Sequence, residues 1–439
     1  MEEFYELLTQ FVALKSVSTD TAYKKDIEKT VSWLKALFES HDFDVTVFRD
    51  DVNPIVFAQY VVDPKAETCL VYGHYDVQPA DAANGWYGDP FVLMEKDEKL
   101  FGRGVVDNKG QVLTHMYSVF SLIKRKKLKY NVKFIIEGDE ETGGMGIGDL
   151  LRAEQEKGTF KADHVMISDG EMPYRPVLTA SFRGVCNVTI RYKTAKNNLH
   201  SGLFGGAVPN AAEELAVLVS KMHNAEGVSM IPGFYSDDDM MKPEIRKQCI
   251  EMDEHKSNML KETGIKRYFL GDEEGFCSTV GFRSMHTASG FSSGYTGKGY
   301  SNIVPSTAEV RINFRLAASQ TPNGAIKLLE VFVSKHTPEY VAAEITNVET
   351  SVPPVKVDLS SPMHQHVMKL LEKTYGEKVL VDYCGATLPV VADIQQVIGV
   401  DPLLVSLAND DCNMHGVNEN FDKTLLEKGF VFSQSFFGK

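Results

Sequence analysis

The start of the chain places apolar side chains at helical spacing: Phe4, Leu7, Leu8, Phe11 and Val12, then Ile27, Val31, Leu34, Leu37 and Phe38. Both stripes predict amphipathic helices that present a core face and carry no chemistry. The period then shortens. β-favouring runs occur near 44–48, 54–62 and 69–72. Residues 81–104, rich in Gly, Asp and Pro, predict a loop with a hairpin. A helix near 111–123, a strand over 132–136, a helix near 146–156 and a strand over 165–168 follow. This alternation of β and α predicts a mainly parallel sheet.

The pattern changes near residue 180. Val185 to Tyr192 alternates with period two, a helix is predicted over 210–222, and strands over 307–316 and 341–348 bracket a helix over 322–335. The stretch 227–300 is rich in Gly, Ser, Met and charge, has weak periodicity, and reads as a long insertion. The order suggests a β-α-β-β-α-β unit. After Pro353 and Pro354 the α/β style returns, with helices over 361–375 and 389–398, a strand over 402–407 and a terminal helix. The expected fold class is α/β: a mixed, mainly parallel sheet with helices on both faces, interrupted by a ferredoxin-like α+β domain. The catalytic domain would comprise residues 1–180 and 351–439, and the inserted domain 181–350. A length of 439 residues exceeds what one core usually holds, in keeping with two domains.

Composition narrows the function. The formal charge is −14 and no basic stripe appears, which excludes nucleic acid and anionic membrane as partners. No apolar run reaches membrane-spanning length. Met1-Glu2-Glu3-Phe4 is acidic and leads into a helix, so it does not read as a signal peptide. The six cysteines are scattered, without Cys-x-x-Cys, which points to reduced core thiols and a cytoplasmic location.

Candidate chemistry gathers where apolar runs stop. The run Cys69 to Tyr72 ends at Gly73 and delivers His74, with Asp76 two residues on. A carboxylate there could fix the ring of a metal-binding His74. Asp107, the Asp139-Glu140-Glu141 cluster, Asp169 and His415 follow other strand-like runs. Two imidazoles and several carboxylates suit zinc, and also manganese or cobalt. Consecutive Glu140 and Glu141 cannot point the same way, so one could bind metal while the other faces a water. A carboxylate-bridged metal pair with a free carboxylate as base is what amide hydrolysis needs. The residues alone leave a second reading open, since acidic groups at strand ends also occur in solvated loops.

Five motifs settle the choice by resemblance. Gly-His-Tyr-Asp-Val-Gln-Pro (73–79), Gly-Arg-Gly-Val-Val-Asp-Asn-Lys-Gly (102–110), Glu-Gly-Asp-Glu-Glu-Thr-Gly-Gly (137–144), Ser-Asp-Gly (168–170) and Leu-His-Ser-Gly (199–202) occur in that order. Together they resemble the aminoacylase and carboxypeptidase superfamily of two-zinc exopeptidases, and within it the carnosinase-like dipeptidases. The resemblance covers nearly the whole chain. It implies that His74 and Asp169 bind one zinc, Glu141 and His415 the other, and that Asp107 bridges them, with a cis peptide after it. It implies that Asp76 orients His74. Glu140 would be the general base, taking a proton from the attacking water and passing it to the leaving amine. The inserted domain would act as lid and dimerisation domain. Its His200 would stabilise the oxyanion from the partner subunit of a homodimer; without the resemblance His200 reads as a loop histidine bonded to backbone. Asn302 and Arg315 would hold the carboxylate end of a small peptide. Thr387 keeps a hydroxyl in a substrate loop where Ala386 and Leu388 depart from the dipeptidase pattern. Asn197 and Asn198 replace a commonly acidic position before His200.

The implied activity is metal-dependent hydrolysis of dipeptides or short peptides. An N-acyl-amino-acid deacylase or desuccinylase would use the same metals and base. An inactive metal-binding scaffold is a third reading, and the intact Glu140 speaks against it.

Overall fold

The computed structural model describes residues 1–49, 52–235, 243–262, 264–266, 269 and 275–439. Two compact units appear: residues 1–180, 357–381 and 388–439 form one, and residues 181–356 with 382–387 form the other.

The first unit is built on a six-stranded sheet. Its spatial order is Asp44–Phe48, Ile55–Tyr60, Asn131–Glu137, Thr68–His74, His164–Ile167 and Leu403–Leu404. The last four run parallel to one another, and Ile55–Tyr60 runs antiparallel to both of its neighbours, so the sheet is mixed. Successive side chains alternate between faces, and both faces are covered. On one face Phe134 meets Phe38 at 5.2 Å between ring centroids, and Phe38 meets Phe120 of the helix Lys109–Lys124 at 5.8 Å. On the other face Phe57 packs on Phe160 at 5.3 Å. Two-sided burial explains why Cys69 to Tyr72 is an unbroken apolar run rather than an alternating one. Each fully buried Val or Leu there contributes about 1.5–3 kcal/mol.

The second unit is a four-stranded antiparallel sheet in the order Met285–Ser293, Thr307–Leu316, Gly184–Lys193 and Ala342–Val352. With the helices Ala211–Ser220 and Pro322–His336 the chain order is β-α-β-β-α-β, and the first strand lies inside the sheet. Val188, Ile190, Val310, Ile312 and Phe314 share a core with Leu215, Leu218, Leu329 and Phe332 of those helices.

Three expectations need correction. The stretch 227–300 is not all insertion: besides the helices Pro243–Glu262 and Phe276–Phe282 it holds the strand Met285–Ser293, which belongs to the sheet. Asp107 follows no strand. It stands in a loop just before the helix Lys109–Lys124, where Val105 and Val106 are buried without ladder bonds. The strand expected over 402–407 is only Leu403–Leu404, so His415 lies well beyond it.

Candidate metal centre

The strand Thr68–His74 delivers His74 at the carboxyl end of the parallel block, where open α/β sheets hold ligands. Gly73 is required by packing: a Cβ there would lie 2.6 Å from the Val112 side chain of the overlying helix. Two later glycines are tighter still. A Cβ at Gly110 would come 2.0 Å from the Val105 carbonyl, and one at Gly138 would come 2.1 Å from the Tyr75 hydroxyl.

Five of the expected residues converge into two groups that could each hold a metal ion: His74, Asp107 and Asp169, and Asp107, Glu141 and His415. Asp107 belongs to both. Its Oδ1 lies 3.0 Å from His74 Nε2, and its Oδ2 lies 2.7 Å from His415 Nε2. Asp169 Oδ2 is 3.7 Å from His74 Nε2, and Glu141 Oε2 is 3.2 Å from His415 Nε2. The Asp107-Asn108 peptide is cis.

Neighbouring groups hold these side chains in place. His74 Nδ1 donates to the Asp76 carbonyl at 3.1 Å and lies 3.3 Å from the Asp76 carboxylate. This fixes the ring so that Nε2 faces the site. Asp76 Oδ2 also accepts the Glu141 backbone N–H at 3.1 Å. Gln78 donates to Glu141 Oε2 at 2.6 Å. Asn108 Nδ2 donates to Asp169 Oδ1 at 2.9 Å and to the Ser168 carbonyl at 2.7 Å. Of the acidic cluster, Asp139 is occupied elsewhere: it accepts from both the backbone and side-chain nitrogens of Asn53. Glu140 belongs to neither metal group.

The electrostatics call for cations. Burial pushes the Glu140 carboxyl up to about 8; His74 opposes this, and Asp169, Asp107 and Glu141 add to it. Burial works against ionised Asp107, but the adjoining His415 and His74 imidazoles outweigh it and hold that carboxyl below the usual range. Hydrogen bonds to Asp107 and Glu141 raise His415 to about 10. Burial disfavours a charged His74, yet Asp107 and Asp169 hold its imidazole well above its ordinary value. A histidine must be neutral to ligate a metal, so divalent ions bound there would displace protons from these imidazoles. His74 Nε2 is buried and makes no accepted hydrogen bond. An orphaned imidazole nitrogen facing two carboxylates fits a metal ligand.

Two residues to which the sequence reading assigns no role support the site. Arg103 and Glu419 form a buried ion pair at 2.7 Å. They stand more than 300 positions apart, and no periodicity marks either one. His115 is a core histidine with a structural role: its ring meets Ser168 and Ser433, and burial pulls it down to about 3.

The remaining expected residues belong to the second unit. His200 caps the short helix Ser201–Phe204, and its Nδ1 accepts the Gly202 N–H at 3.1 Å. Its neighbour Ser201 donates its N–H to the Asn302 carbonyl at 3.0 Å. Arg315 donates to the Thr387 hydroxyl at 2.9 Å, and Thr387 donates to the Arg183 carbonyl at 2.6 Å.

The pattern of Peptidase family M20/M25/M40 matches residues 70–438. Among curated proteins, the chain is 25% identical to a Beta-Ala-His dipeptidase of Rattus norvegicus, covering 99% of this chain and 92% of that one. It is 28% identical to a Cys-Gly metallodipeptidase of Schizosaccharomyces pombe, covering 98% and 93%. It is 29% identical to a cysteinylglycine-S-conjugate dipeptidase of Corynebacterium striatum, covering 97% and 93%. Among solved structures, an M20 family metallo-carboxypeptidase of Sulfolobus solfataricus superposes with a TM-score of 0.84 at 27% identity, covering 100% and 99%. Human carnosine dipeptidase 1 shares the fold, with a TM-score of 0.77 at 23% identity over 99% and 95%.

Proposed function

The chain belongs to peptidase family M20/M25/M40, and from that premise we propose that it hydrolyses the peptide bond of dipeptides and short peptides using two divalent metal ions. The observation that carries this reading is Asp107, whose two carboxylate oxygens face two histidines in two separate three-ligand groups. His74 and Asp169 would hold one ion, Glu141 and His415 the other, and Asp107 both. Ions held there would supply Lewis-acid polarisation of the scissile carbonyl and lower the pKa of a bound water toward neutral. Zinc suits this donor set first, with manganese or cobalt as substitutes. Asp76 keeps the His74 ring turned toward the site. Glu140, next to a ligand but outside both groups, takes the proton from the attacking water and delivers it to the leaving amine. In the second unit, Asn302 and Arg315 receive the substrate's carboxylate end, with Thr387 fixing the Arg315 fork.

The test is a panel of free-amine dipeptides, including β-Ala-His and Cys-Gly, set beside N-acyl amino acids. Each is assayed after loading with zinc, manganese or cobalt. Free-amine dipeptides should be cleaved, and chelation should abolish the cleavage. Cleavage of N-acyl amino acids alone would establish the deacylase reading instead. Among the described residues no helix is long and apolar enough to cross a membrane. The six cysteines form no disulfide, which supports a cytoplasmic setting.

The assembly we propose is a homodimer formed through the second unit. The strand Met285–Ser293 lies at a sheet edge with Phe291 half exposed, and such an edge invites pairing. Within the dimer His200 would stabilise the oxyanion in the partner's site. Two inactive variants, His200→Ala and Glu140→Gln, should regain activity when their subunits exchange, approaching one working site per mixed dimer. Verified mixed dimers that stay inactive would exclude action from the partner.

A further inference from the structure

The two metal groups differ in how they are held. His74 ends a central strand and is fully buried. His415 lies in a loop at φ 60°, and its side chain is 54% exposed. Packing does not hold it. Its backbone is held by Arg103, whose Nη2 donates to the carbonyls of His415 and Gly416 at 3.1 and 3.0 Å. Arg103 Nη1 donates to Glu419 Oε2 at 2.7 Å. The same Glu419 carboxylate gathers the turn that carries Asp107. Its Oε2 accepts the Gly104 N–H at 2.9 Å, and its Oε1 accepts those of Val106 and Asp107 at 2.9 and 3.2 Å. The pair is 4% and 0% exposed. Breaking a buried pair would leave the surviving charge uncompensated.

We propose that Arg103 and Glu419 are positioning residues that fix the His415 loop against the Asp107 turn, and so set the affinity of the Asp107, Glu141 and His415 group for its ion. This rests on the two-metal reading above. The Arg fork is what the geometry needs, because one guanidinium must satisfy a carboxylate and two carbonyls together. A lysine keeps the charge but cannot span all three.

The experiment measures zinc binding by competition with a chelator for wild type, Arg103→Lys and Glu419→Gln, with circular dichroism of each metal-free protein. Wild type should bind two ions. Each variant should stay folded, and Arg103→Lys should keep one ion at wild-type affinity. The other ion should weaken by about 10–100-fold, the usual effect of removing an outer support from a ligand. Excess zinc should restore most of the turnover. In a His415→Ala background, Arg103→Lys should change zinc affinity no further. The inference is overturned if wild type binds two ions and the variants weaken neither, if both ions weaken equally in Arg103→Lys, or if the metal-free variants do not fold. If wild type itself fails to bind two ions, the two-metal reading falls instead.

Discussion

Glu140→Gln is expected to keep both metal ions and to lose at least ~10² in turnover, the low end for a general base. The amide matches the carboxylate in shape, so packing at the turn Glu140–Thr142 should survive. The ligands are untouched, because Glu140 is outside both metal groups while its neighbour Glu141 faces His415 at 3.2 Å. The loss should appear in kcat with KM little changed, since a proton carrier acts in the transition state rather than in ground-state binding. Elemental analysis alongside steady-state kinetics checks the expectation. If the variant sheds metal but keeps its rate per bound ion, the roles of Glu140 and Glu141 are exchanged.

Asp107→Ala should have the broadest effect. One substitution removes a ligand from both groups, leaving two protein ligands in each. Both ions should be lost and activity abolished. The stabilisation that metal gives the folded state should vanish too; it is about 2.7 kcal/mol when free metal stands at one hundred times its dissociation constant. His415→Ala is the informative contrast, because it leaves His74, Asp107 and Asp169 intact and should retain one ion. Melting curves with and without zinc, and metal content by elemental analysis, separate the cases. An Asp107→Ala protein that still carries two ions would mean that Asp107 does not bridge them.

The parts legible in the sequence are those with a local signature. The buried run Cys69 to Tyr72 marks a central strand, and His74 with Asp76 follows it within a few residues. The alternation of Val185 to Tyr192 marks a half-buried antiparallel strand. The parts that were not legible depend on distant contacts or on weak apolar contrast. The strand Met285–Ser293 is largely exposed and made mostly of small or polar residues, so no stripe announces it. The helix Pro243–Glu262 is dense in charge, which hides its face. Glu419 reads as a polar residue in a loop until the fold brings the Asp107 turn onto it. Lys109 looks like a solvated helix start, yet it is fully buried, with its amine donating to the carbonyls of Phe11 and Leu14.

The close approach at Gly110 and Gly138 bears on how a saturation-mutagenesis screen of this chain would read. Neither residue belongs to either metal group, yet any side chain at either position must displace a carbonyl or a buried tyrosine. A screen scored only on turnover would rank both positions with Glu140 and Asp107, and would draw the chemical site larger than it is. Scoring the abundance of folded protein in the same library separates the two kinds of loss. Replacements at the glycines should deplete the folded population, whereas Glu140→Gln should leave it at the level of the parent.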